Sequence, residues 1–96
     1  MAAAPARARL RLRLYVSGNA PNSARAVINI RAICQARFPS LHDLEIVDIL
    51  TDPERALADG IIVSPTLLKL APTPLARLIG DLSDRTRVLQ TLEASA

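Results

Sequence analysis

From Arg9 to Leu14 arginine alternates with leucine without a break, and Tyr15-Val16 continues the pattern. A strict period of two puts Leu10, Leu12, Leu14 and Val16 on one side of an extended chain and Arg9, Arg11, Arg13 and Tyr15 on the other. On a helix the same leucines would be scattered around the axis, so the segment predicts a strand with one apolar face. Such a strand has to be covered by a second layer. The residues that follow, SGNAPNS from Ser17 to Ser23, are turn formers, and Asn22 or Ser23 is suited to cap a helix. Ala26, Val27, Ile30, Ile33, Cys34 and Phe38 then share one helical face, Ile28 falls outside that stripe, and Pro39 stops the helix.

Residues 43–50, DLEIVDIL, read as a second strand whose apolar positions do not alternate cleanly, as expected when both faces are partly covered. Strand, helix, strand is the parallel crossover unit. Thr51 or Asp52 begins a short helix with Pro53 in its first turn and Gly60 at its end. Ile61 to Leu70 is extended and carries Ser64-Pro65-Thr66; Leu75 to Ile79 makes a fourth strand; Gly80-Asp81 turns the chain; Ser83 caps a last helix bearing Val88, Leu89 and Leu92. The order βαβαββα is a single α/β domain of thioredoxin-like arrangement.

Ninety-six residues fit one domain, with residues 1–8 read as a disordered leader and 9–96 as the folded unit. Half the chain is hydrophobic, yet Tyr15 and Phe38 are its only aromatics, so the core is aliphatic. Cys34 is the only cysteine, which excludes an internal disulfide and fits a reducing cytoplasm. No apolar run approaches a membrane span or a secretory signal. Residues 1–40 carry seven arginines and no acid, whereas residues 41–96 carry five bases and nine acids. That asymmetry could steer an acidic partner. Nucleic acid held by Arg9, Arg11 and Arg13 is the less favoured version, because two aromatics offer little base stacking and no recognition motif is present.

Catalytic constellations are absent from the pattern. A thiol-disulfide enzyme needs a thiolate at the start of the first helix, where the dipole stabilises it. That loop holds no cysteine, and Cys34 lies about three helical turns further on. It reads as a small buried hydrophobe. His42 is the only histidine, no metal-ligand spacing occurs, and no glycine-rich phosphate loop is present. Asp81 and Asp84 flank the last helix as turn and capping residues. No enzyme, cofactor or metal is expected, which leaves binding.

Three stretches, LYVSGNAPNSARA (14–26), SPTLLK (64–69) and IGDLSDRTRVL (79–89), in that order and spacing, resemble the KaiB family of circadian clock proteins. The resemblance covers roughly residues 9 to 93 and implies a non-catalytic protein that binds a KaiC-type ATPase ring in a thioredoxin-like state and modulates its phosphorylation or ATPase cycle. KaiA-like proteins or a sensor kinase are further implied partners. An adaptor for another ATPase or a sensor kinase is the alternative reading. By position, Arg25, Lys69 and Arg77 match basic partner-binding residues of the family, and in thioredoxin-like proteins a proline at the place of Pro65 is usually cis. Glu45, Gly60 and Ala76 depart from it, standing where clock members carry bases. Some members rearrange from about Leu50 onward to a tetrameric βαββααβ form. Here Thr91, where clock members often have glycine, and Glu93 are the expected fold-state determinants, and the acidic tail common in clock members is missing from the sequence. Together they favour a thioredoxin-like, mainly monomeric resting state, with the homotetramer as the alternative.

Overall fold

The computed structural model describes residues 9–94, so the leader expected over 1–8 lies outside the described residues. The elements are β1 (Leu10–Val16), α1 (Pro21–Arg37), β2 (His42–Asp48), α2 (Pro53–Ala58), β3 (Thr66–Ala71), β4 (Ala76–Ile79) and α3 (Arg85–Glu93). They form one sheet in the order β2-β1-β3-β4, with β1 and β2 parallel and the other two pairs antiparallel. The expected βαβαββα order is therefore the observed one.

The sheet is covered on both faces. On one side Leu10, Leu12, Leu14 and Val16 meet Ala26, Ile30, Ile33 and Cys34 of α1, and Val88 and Leu92 of α3. On the other, Tyr15, Val47 and Leu68 pack beneath Ala56 of α2. The alternation along β1 thus continues as expected up to Tyr15, but its second face is not wholly solvated: Tyr15 is fully buried because α2 lies over it. β2 is apolar on both faces as expected, with Leu44 and Ile46 toward the first core and Val47 in the second.

The expected caps of α1 and α3 are displaced. The N-cap of α1 is Ala20 and Pro21 occupies the first helical position, where its missing N–H costs nothing. Ser23, now inside the helix, is buried and accepts from the Ser17 amide at 3.0 Å instead. The N-cap of α3 is Asp84, whose carboxylate accepts from the Arg87 amide at 3.1 Å, rather than Ser83. The carboxylate is the stronger acceptor for a helix amide and gains from the positive end of the dipole. α2 begins as expected, with Asp52 at its N-cap and Pro53 next. β3 is shorter than the extended run expected over 61–70, beginning at Thr66 just after a cis Ser64–Pro65 bond. The Ala71–Pro72 and Thr73–Pro74 bonds are also cis.

Candidate functional site

Four loops converge at the end of the sheet where β1 and β2 finish. Gly18 turns the chain after β1 with φ +51°, a left-handed conformation that favours glycine. Its amide and that of Leu50 both donate to Asp48 Oδ1, at 3.1 and 2.9 Å, which locks the loop after β1 to the loop after β2. The Ser17 and Ser64 hydroxyls are hydrogen-bonded, joining the first loop to the segment before β3. The Gly80 amide donates to the Pro65 carbonyl at 3.0 Å and brings in the loop after β4. Four apolar side chains around this end, Leu50, Ile62, Val63 and Ile79, are exposed, Ile62 to 94 %. Single exposed apolar residues are ordinary, but several on loops tied together make this end a candidate contact surface.

A second constellation lies on the face covered by α2. Glu45 on β2 receives a two-pronged grip from Arg55 of α2 (2.6 and 2.7 Å) and a bond from Arg13 Nε on β1 (2.8 Å). Arg13 also reaches Asp59 at 2.9 Å. The Tyr15 hydroxyl donates to Asp59, with the Arg55 carbonyl 3.0 Å away as a second acceptor. Arg77 of β4 donates to the carbonyls of Asp59 and Gly60 at 2.9 and 3.0 Å. The guanidinium groups of Arg55 and Arg13 hold the Glu45 carboxyl down at about 2. Asp59 is likewise lowered, first by the Tyr15 hydrogen bond and then by Arg13, while burial pushes the Tyr15 hydroxyl up.

The residues expected to contact a partner are not brought together. Arg25 is exposed on α1, bonded to Asn22 at 2.6 Å and 3.7 Å from Asp81. Arg77 is exposed but on the opposite, α2, face, beside Asp59 and Gly60. Lys69 corrects the expectation of a free surface charge: it is 2 % exposed, and its ammonium donates to the Ala94 carbonyl at the end of α3 at 2.6 Å. The even spacing along β3 puts it on the same side as Leu67, facing the first core, which the motif alone did not reveal. Desolvation holds that ammonium below the usual lysine range. Thr91 donates its hydroxyl to the Arg87 carbonyl at 3.0 Å, and Glu93 pairs with Arg37 of α1 at 2.8 Å. Pro65 is buried at the start of β3.

Arg9 pairs with Asp43 at 2.7 Å and Arg13 with Glu45 and Asp59, so two of the three arginines weighed for nucleic acid are already neutralised by carboxylates. Cys34 is fully buried, and burial pushes its thiol up to about 11, far from the thiolate that redox exchange requires. Among the described residues no group of three or more His, Cys, Asp or Glu side chains is placed to hold a metal ion. No described helix is long and apolar enough to cross a membrane. The network that joins Tyr15, Arg55 and Asp59 is not legible in the sequence. The only sequence signal for it is an arginine-leucine alternation facing an acid-bearing strand, without the register that pairs Arg13 with Glu45.

The family model described as the KaiB domain matches residues 13–94. A circadian clock oscillator protein KaiB from Prochlorococcus marinus is 49% identical over 82 residues, spanning 85% of this chain and 70% of that one. The protein of the same description from Parasynechococcus marenigrum is 48% identical, over 85% of this chain and 79% of its own. Among solved structures, the N-terminal domain of Synechococcus elongatus SasA superposes with a TM-score of 0.72 at 22% identity, covering 100% of this chain and 97% of that domain. Mitochondrial thioredoxin 3 from Saccharomyces cerevisiae gives 0.73 at 14% identity, covering 91% and 79%. At those identities the two structures establish the thioredoxin-like fold.

Proposed function

The chain belongs to the KaiB family of circadian clock proteins, and from that premise we propose that it is a non-catalytic cytoplasmic protein that docks on a KaiC-type ATPase ring in its thioredoxin-like state and modulates the ring's phosphorylation or ATPase cycle. The observation that carries this reading is the loop end of the sheet. Where a thioredoxin would present a reactive thiol at the start of α1, this chain presents Ser17, Gly18 and Asn19, rimmed by exposed Leu50, Ile62, Val63 and Ile79. That surface can bind but has no nucleophile to exchange. Arg25 and Arg77, exposed on opposite faces, supply basic groups that would meet acidic residues of a ring in exchange for Asn22 and for the Asp59 and Gly60 carbonyls. Lys69 joins them only if the end of α3 gives up its hold on the ammonium. KaiA-like proteins or a sensor kinase are candidates to meet the assembled complex, and an adaptor role on another ATPase is the alternative.

The test is co-elution with the KaiC-type ring of the same cells in ATP and in ADP. A stable complex that depends on the nucleotide, and that Ile62→Asp weakens at least about tenfold without loss of fold, is expected; that factor corresponds to about 1.4 kcal/mol, within the range of a buried interface residue. Absence of a complex in both nucleotides would contradict the proposal.

A further inference from the structure

α2 is only six residues long, and Ala56 is its one buried residue, while Leu57 is 78 % exposed. A helix this short is unstable by itself. One alanine buries too little apolar surface to hold it. Beside the contact of Ala56 with Tyr15, Val47 and Leu68, what reaches it from the sheet is polar. Arg55 is gripped by Glu45 of β2, Asp59 by Arg13 and Tyr15 of β1, and the carbonyls of Asp59 and Gly60 by Arg77 of β4. Three strands thus converge on residues 55–60, and their bonds involve charged groups, which are shorter and stronger than neutral ones. At the other end of the helix Asp52 makes no side-chain capping bond, and the flanking residues Leu50, Ile62 and Val63 are exposed.

We propose that residues 53–60 open from the sheet as a unit, ahead of global unfolding, and that the Arg13–Glu45–Arg55–Asp59 network is the clasp that sets how often they do so. Opening uncovers Tyr15, Val47 and Leu68, which form the second, smaller core together with Ala56. It therefore exposes a new apolar face without disturbing the larger core between the sheet and α1 and α3. The clasp is screened by salt, because the side chains of Glu45 and Arg55 remain 46% and 37% exposed. Ionic strength is therefore a direct handle on the open population.

Native-state hydrogen exchange on the full chain tests this. The amides of Asp59, Gly60 and Ile61, which bond to the carbonyls of Arg55, Leu57 and Ala56, report on α2. The amides of Leu14 and Leu67 report on the sheet interior. Raising sodium chloride from about 0.05 to 0.5 M should speed exchange at residues 59–61 by roughly threefold to tenfold and leave Leu14 and Leu67 unchanged. Glu45→Gln should raise the same rates by a similar factor at low salt and abolish most of their salt dependence. Equal protection of residues 59–61 and the sheet interior in the wild-type chain would overturn the proposal, as would exchange at 59–61 that ignores salt. The wild-type salt series needs no variant, so a poorly folded Glu45→Gln protein would leave the test intact.

Discussion

Glu45 is held ionised by two guanidinium groups, Arg55 foremost, with a carboxyl at about 2 against an ordinary 4.5. A carboxyl lowered on folding contributes stability that is present above its unfolded value and is lost as the pH falls through 4.5 toward 2. Asp43 and Asp59 are shifted in the same direction by Arg9 and by Tyr15. The urea midpoint of the wild-type chain should therefore drop between about pH 5 and pH 3, and Glu45→Gln should show a smaller drop from a lower starting point. Superimposable pH profiles for the two proteins would show that the clasp carries no linkage. Lys69 calls for the opposite expectation to a surface charge. Lys69→Ala removes a buried four-carbon stem and leaves the Ala94 carbonyl without its described donor, so a loss of about 2 kcal/mol is expected from urea denaturation. A change below about 0.5 kcal/mol, typical of exposed side chains, would mean that the ammonium is not docked at the end of α3.

Each element was legible to the extent that its own residues decide it. The Leu10 to Val16 alternation, the α1 stripe ending before Pro39 and the Gly60 and Gly80 turns are local patterns, and all lie where the sequence placed them. The caps of α1 and α3 were displaced because a proline at the first helical position and an aspartate one residue beyond a serine compete with the expected residues at close range. The clasp was illegible for a different reason. Its partners are separated by 10 to 46 positions in the chain and meet only once the parallel register sets Arg13 opposite Glu45 and α2 folds back over both. The loop after β1 gives the element-scale prediction. A Cβ on Gly18 would sit 3.2 Å from Leu50 Cδ1 and would force a left-handed conformation on a non-glycine residue. Gly18→Ala should cost about 1–2 kcal/mol and shift the Leu50 methyl resonances, whereas an unchanged melting curve and unchanged Leu50 would show that the two loops are not packed together.

At the scale of the whole molecule, the basic first half and the more acidic second half are complementary parts of one fold: Arg9, Arg13 and Arg37 of the first are paired with Asp43, Glu45, Asp59 and Glu93 of the second. These contacts, with the apolar cores on both sides of the sheet, bind the second half in its thioredoxin-like packing. We propose that this packing is also the resting state of the free chain. A chain already in the binding-competent state loses no affinity to a conformational equilibrium. The most direct test is methyl and backbone NMR of the labelled chain, free and titrated with the KaiC-type ring in each nucleotide. The account predicts extended-strand shifts for residues 66–70 before and after addition, with Leu50, Ile62, Val63 and Ile79 broadening or shifting as the ring binds. Helical shifts across residues 61–70 in the free chain, or a ring that leaves those four side chains unperturbed, would contradict it.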